Sequence, residues 1–143
     1  MNWKQEAITQ LQKYEAMVEA VETIPTELAR LKLLSRRTPG SGSDGVRVLT
    51  SRSMGDDALI NNIMKRQELE MSYKNAKLWV ASTQKALSVL EPEEKQILEK
   101  MYIRPEKGAV GSLCVSLGIE QSSVYRRRDS ALERFTIALY GAA

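Results

Sequence analysis

Apolar residues near the start of the chain recur at alternating steps of four and three, the spacing of one packed face of a helix. These positions are Ala7, Leu11, Tyr14, Val18 and Val21. They predict a first helix from about Trp3 to Glu22. Because a proline inside a helix removes a hydrogen bond and clashes with the preceding turn, Pro25 predicts a break or kink over residues 23–25 and a second helix from about Pro25 to about Arg36. The apolar face of this second helix consists of Leu28, Leu31, Leu33 and Leu34.

The same alternation returns over a longer stretch and predicts the longest helix of the chain, from about Asp57 to Leu90. Its repeating positions are Leu69, Tyr73, Ala76, Val80, Thr83, Leu87 and Leu90. Asp56 and Asp57 can cap the start of this helix. A helix of this length reaches roughly 50 Å, too long for so small a domain to bury alone. We therefore expect the first helices to pack against it as an antiparallel hairpin, and its surplus apolar surface to pair two chains as a homodimer.

The stretch between these helices, residues 37–55, is rich in glycine, serine and proline and predicts a linker. This stretch is basic, because Asp44 is the only acidic residue among the arginines at positions 36, 37, 47 and 52. Two interpretations stay open, a solvated flexible loop and a basic arm that binds the phosphates of a nucleic acid.

After Leu90 the chain restarts at Pro92, with Glu91, Glu93 and Glu94 in positions that suit a helix start. We interpret these carboxylates as capping groups rather than metal ligands. The buried face of this helix is predicted to be Ile97, Leu98, Met101 and Tyr102. A loop over residues 104–108 follows.

The last third of the chain contains two periodic apolar runs separated by Leu117-Gly118-Ile119. The first run is Val110, Leu113, Cys114 and Leu117, and the second is Val124, Ala131, Leu132, Phe135 and Leu139. Gly118 supplies the positive φ that a sharp helix-ending turn needs. Helix, short glycine turn and helix is the pattern of a helix-turn-helix.

The composition excludes several classes of function. The chain has 143 residues, a net charge of +3, one cysteine and no histidine. These features argue against an internal disulfide, a Ser-His-Asp triad and most zinc sites, so we expect no enzyme, cofactor or metal. No apolar run approaches the roughly 20 residues that span a bilayer, and the polar N-terminus is not a secretory signal. We expect a cytoplasmic protein that binds no membrane.

The segment from Leu87 to Leu139 resembles region four of bacterial RNA polymerase sigma factors. Together with a helical front half that matches only in outline, it also resembles small phage late-gene regulators of the ArpU and RinA type. The matching residues are Leu113, Cys114, Leu117-Gly118-Ile119, Val124, Ala131-Leu132 and Phe135. The family has an apolar residue where Arg127 stands. Either the aliphatic stem of Arg127 covers the core while its charge reaches outward, or the register is shifted locally.

The second helix of this motif should start near Gln121 and Ser122, with a serine as N-cap. In a helix-turn-helix the first turns of this helix meet base edges in the major groove. The predicted base-facing residues are Gln121, Ser122, Tyr125 and Arg126. The predicted phosphate-binding residues are Lys107, Ser112 with its backbone amide, Ser123, Arg127 and Arg128. A solvated helix face, with Asp129 and Glu133 as ion-pair partners, is the alternative for the three arginines.

Together these patterns predict an all-α protein with an N-terminal helical hairpin or coiled coil and a sigma-region-four-like helix-turn-helix. The predicted segments are N-terminal helices (1–36), a basic linker (37–55), a long helix (56–90) and a DNA-binding domain (91–143). The resemblance implies a sequence-specific regulator of phage or prophage late promoters, located in the bacterial host cytoplasm. Its expected partners are double-stranded DNA, a second copy of the chain and RNA polymerase. Two alternatives are a small terminase subunit that recognises packaging-site DNA and a protein that only binds polymerase or sigma.

Overall fold

The computed structural model describes the backbone of residues 2–36 and 48–143 and the side chains of residues 2–36 and 55–143. In this part of the chain every regular element is helical, which confirms the predicted all-α class. The elements are α1 (Trp3–Gln12), α2 (Tyr14–Arg36), α3 (Val48–Ser88), α4 (Pro92–Leu98), a π-helical turn (Glu99–Ile103), α5 (Ala109–Leu117) and α6 (Gln121–Tyr140).

The predicted boundary between the first two helices is wrong. α1 ends at Gln12 and α2 begins at Tyr14, with Lys13 between them, and α2 then runs through Pro25 without interruption. An interior proline costs about 3 kcal/mol of helix stability. This cost is offset because Ile24 and Leu31, on the two sides of the proline, are both buried.

The long helix begins well before its predicted start, because α3 already includes Val48. Asp56 and Asp57 therefore lie inside the helix and do not cap it. Of the predicted linker, residues 48–55 are helical and residues 37–47 lie outside the described part of the chain. Serine, arginine and methionine differ little in helix propensity, and one glycine costs only about 1 kcal/mol. The amino-acid composition of residues 48–55 therefore does not prevent a helix there.

The chain divides into two compact units, Met1–Val18 with Lys77–Ala143, and Glu19–Ala76. The main core of the first unit consists of Ala7, Leu11, Ala86, Leu90, Leu98, Ile103, Ala131, Leu132 and Phe135. α1 thus belongs with the C-terminal helices, although the sequence placed segments 1–36 and 91–143 in different domains. The reason is that Ala7 and Leu11, both fully buried, help to enclose Phe135.

A polar contact inside the first unit fixes α1 against α3. The Gln10 side-chain amide donates to Thr83 Oγ1 at 2.9 Å and to Ser82 Oγ at 3.2 Å, and Trp79 Nε1 donates to the Gln10 carbonyl at 3.0 Å. A buried polar group that lacks a partner is costly, so this set of bonds specifies one register of the two helices.

In the second unit, α2 and α3 pack as the predicted antiparallel pair. The Asn62 side chain donates to the Leu31 carbonyl at 3.0 Å, and Leu69 shares a groove with residues 22–27 of α2. Lower numbers on α2 thus lie opposite higher numbers on α3. The expected apolar face of α2 is only partly correct, because Leu33 and Leu34 are exposed. Leu33 follows Leu31 by two residues, which turns it about 160° away from that buried position.

Candidate nucleic-acid interface

The bend between α5 and α6 lies where the glycine predicted it. Gly118 has φ 66° and ψ 35°, and the Cys114 carbonyl accepts from the N–H groups of Gly118 at 2.9 Å and of Ile119 at 3.3 Å. The residue before α6 is Glu120, with extended backbone and no side-chain cap bond. The expected serine N-cap is therefore wrong. Since the turn brings the chain straight into α6 at Gln121, both serines that follow lie inside the helix.

A small apolar cluster packs against the bend between α5 and α6. It consists of buried Ile97, Leu113 and Val124, surrounded by half-buried Met101, Val110, Cys114, Leu117 and Ile119. Because Val124 and Ala131 are buried on one side of α6, positions about 180° away around the helix must face outward. The four residues predicted to face bases are all exposed: Gln121, Ser122, Tyr125 and Arg126.

The three consecutive arginines of α6 have different surroundings. Arg126 donates to Ser123 Oγ at 3.3 Å and has no ion-pair partner among the described residues. Arg127 pairs with Glu93 of α4. Arg128 is the least exposed, donates to Asp129 at 2.9 and 3.0 Å, and lies 5.0 Å from the centre of the Tyr125 ring. Of these three arginines, only Arg126 can therefore bind an external group without first breaking an ion pair with a carboxylate.

The two arginines that follow Arg126 differ in burial. Residue 128 is half-buried, whereas residue 127 is exposed. Residue 128 stands four positions after buried Val124, on the packed side of the helix. Arg128 is therefore the more buried of the two arginines, and the two interpretations of Arg127 stay predictions.

The predicted phosphate-binding residues form a less uniform set than the base-facing ones. Lys107 is exposed in the loop before α5, and Ser123 is half-buried. The backbone amide of Ser112 is not a free donor, because it donates to the Gly108 carbonyl at 3.1 Å within α5. The Ser112 hydroxyl accepts from Lys100 Nζ at 3.1 Å. Lys100 thus brings another positive charge to this side of α5.

Sequence reasoning missed the contribution of α4 to this surface. Glu93 and Arg127 lie 34 positions apart, and no local pattern links them. Glu94 pairs with Arg134 and also accepts from the backbone N–H of Glu91 at 3.0 Å. The capping interpretation is thus confirmed for Glu94, whereas Glu93 instead faces the basic helix.

One titratable group lies beside the arginines on the packed side of α6. Burial raises the pKa of the Tyr102 phenol above its ordinary value of 10.0; the charge of Arg128 opposes this shift and that of Asp129 reinforces it. Tyr102 is half-buried and packs against the core that contains Phe135. Its proton is therefore retained in the folded chain to a higher pH than in the unfolded chain.

Within residues 2–36 and 55–143, no three histidine, cysteine or carboxylate side chains are grouped as a metal ion would require. Among the described helices, none is both long enough and apolar enough to cross a membrane. Comparisons with protein-family models, with curated proteins and with solved structures found no match to this chain.

Proposed function

We propose that this protein is a sequence-specific DNA-binding regulator of transcription that inserts the first turns of α6 into the major groove. The observation that carries the proposal is the exposure of Gln121, Tyr125 and Arg126 in the first two turns of α6, where Arg126 lies about 160° around the helix from buried Val124. Glutamine can pair with the edge of adenine and arginine with that of guanine, while tyrosine can contact a thymine methyl group.

Two features of the surroundings support this use of α6. The N-terminal N–H groups of a helix carry a partial positive charge that suits a phosphate, and the start of α6 has no side-chain cap. Lys100 and Lys107 add positive charge close to α5. A base-reading helix flanked by phosphate-binding groups is the arrangement that a helix-turn-helix uses.

The resemblance to sigma region four narrows the proposal to a phage or prophage protein that acts at late promoters in the bacterial cytoplasm. RNA polymerase is then a further partner. We also propose that the protein acts as a homodimer through the second unit, where an outer patch on α3 consists of Ile60, Ile63, Met64 and Met71. Ile60, Met64 and Met71 fall within about 40° of each other around the helix, and exposed apolar patches mark interaction surfaces.

The proposal is tested by selecting bound sites from a pool of random duplexes with the full chain. The selected site and a scrambled duplex are then titrated at several salt concentrations. We expect at least about 10³-fold tighter binding to the selected site and an affinity that falls as salt is raised. No salt-dependent binding to any duplex would refute the function and favour a protein that only binds polymerase or sigma.

The alternative function, a small terminase subunit, also predicts DNA binding. The oligomeric state of the protein distinguishes it from a transcription regulator. A small terminase subunit should form rings of many copies, whereas a regulator that reads a two-fold symmetric operator should be a dimer. A ring of about eight or more copies in light scattering would favour packaging.

A further inference from the structure

The ion pair between Glu93 and Arg127 is the feature that the proposed function leaves unexplained. Glu93 lies in the first turn of α4, and Arg127 lies in the second turn of α6. Both side chains remain in contact with solvent, with 55% and 44% of their surface exposed. The pair thus lies on the surface that carries the candidate DNA-binding residues.

The neighbouring pair between Glu94 and Arg134 has a clear structural role and serves as a contrast. The Glu94 side chain is 13% exposed and accepts from the N–H of Glu91, while Arg134 also donates to the Val89 carbonyl at 2.9 Å. Glu93 has no second hydrogen-bond or ion-pair partner among the described residues. The local fold of α4 therefore does not depend on Glu93 as it depends on Glu94.

Arg127 is placed to bind a DNA phosphate only when that phosphate displaces the carboxylate of Glu93. At 100° per residue it lies on the flank of α6 next to outward-facing Arg126, where a groove-bound helix meets the DNA backbone. A phosphate and a carboxylate compete for the same guanidinium, since both bind it through charge-assisted hydrogen bonds. When a phosphate replaces Glu93 on the guanidinium of Arg127, the carboxylate of Glu93 remains close to the phosphate and repels it.

We propose that Glu93 is a competing counter-ion that holds Arg127 away from DNA phosphates and so weakens attachment to the DNA backbone. This inference rests on the proposed DNA binding by α6. Glu93 acts through Arg127 and is a positioning residue that lowers affinity without reading a base. Because phosphate contacts supply almost all non-specific affinity, its effect is measured on DNA of arbitrary sequence.

The test is a double-mutant cycle in the full chain with Glu93→Gln, Arg127→Gln and the double variant. A scrambled duplex is titrated by fluorescence anisotropy over a series of potassium chloride concentrations. Glu93→Gln should tighten binding by about three- to tenfold at low salt and steepen the slope of log K against log salt by about 1. In the Arg127→Gln background the same change should have no more effect than Glu19→Gln, a matched control on α2 with an equal change in net charge.

Equal effects of Glu93→Gln in both backgrounds would overturn the inference, because the carboxylate would then act on DNA without Arg127. An effect equal to that of Glu19→Gln would overturn it as well. Urea unfolding of each variant distinguishes the proposed role of Glu93 from a purely structural one. A structural role would appear as a lower free energy of unfolding together with unchanged or weaker DNA binding. If the wild-type chain binds and Glu93→Gln has no effect, this inference alone fails; if no variant binds DNA, the proposed function fails with it.

Discussion

Neighbouring residues of the same type have different environments in this protein. Arg126 faces outward, Arg127 is paired with α4, and Arg128 covers the packed side of α6. Consecutive positions on a helix point 100° apart, so three arginines in a row sample most of its circumference. The charge run by itself therefore indicates a basic helix, and the neighbours of each side chain decide which charge is available.

Replacing Arg126 with alanine should weaken binding to the selected site by about 1–3 kcal/mol, because a bidentate contact to a base edge is lost. Specificity should relax at one position of the site. A footprint and a titration of single-base variants measure both effects. Arg30→Ala is the matched control, since Arg30 pairs with Glu27 on α2 of the second unit. An unchanged footprint in Arg126→Ala would refute the base-reading role.

Replacing Tyr102 with phenylalanine should make the protein more resistant to alkaline unfolding. The pKa of Tyr102 is raised in the folded state, so its contribution to stability is complete below pH about 10 and is lost as pH rises through the higher folded value. The free energy of unfolding, measured in urea from pH 8 to 11, should fall more steeply in the wild type than in Tyr102→Phe. Parallel curves would contradict the shift.

At the scale of elements, the ends of helices were predictable where a residue has a special backbone conformation. α5 ends as expected at Gly118, which has positive φ, and α6 likewise ends at a glycine with positive φ, Gly141. The break at Lys13 carries no such residue. The π-helical turn was not foreseen either. Its longer bond runs from the Arg104 N–H to the Glu99 carbonyl at 2.8 Å. Within this turn Met101 packs against the cluster of Ile97, Leu113 and Val124, whereas Ile103 belongs to the core that contains Phe135.

Two glycine substitutions on α5 should change stability in opposite directions. Gly118→Ala should destabilise the protein by about 1–2 kcal/mol, because a Cβ is unfavourable in the left-handed conformation. Gly111→Ala should stabilise it by about 0.5–1 kcal/mol, because alanine favours a helix interior. Neither new Cβ would meet an atom within 4 Å, so packing does not confuse the comparison. Urea unfolding measures both; a stabilising Gly118→Ala would contradict the turn geometry.

At the scale of the whole molecule, the two units differ in how completely their apolar residues are buried. The first unit encloses fully buried Phe135, Leu98 and Leu113. In the described part of the second unit, only Ile24, Leu31 and Ala76 are buried apolar residues, and Met71 is 67% exposed. A pair of helices has too little surface to form a closed core, which is the physical basis for expecting a second copy on this unit.

Light scattering at micromolar concentration should give a particle of about twice the 16.1 kDa chain mass. The double variant Met64→Glu with Met71→Glu should be monomeric, because charges in an apolar interface are costly to desolvate. Val115→Glu on α5 is the matched control, since Val115 is also exposed but lies in the first unit. A monomeric wild type, or a double variant that remains dimeric, would contradict this interface.

The sequence by itself determined the all-helical class, the antiparallel pairing of α2 with α3, and the bend at Gly118 with an exposed first turn of α6. These follow from apolar periodicity and from the conformational freedom of glycine, which are properties of neighbouring residues. The tertiary structure alone decided that α1 completes the core around Phe135, that Gln10 joins α3, and that Glu93 holds Arg127. Each of these contacts joins residues far apart in the chain, and it depends on which helix faces lie opposite one another after folding.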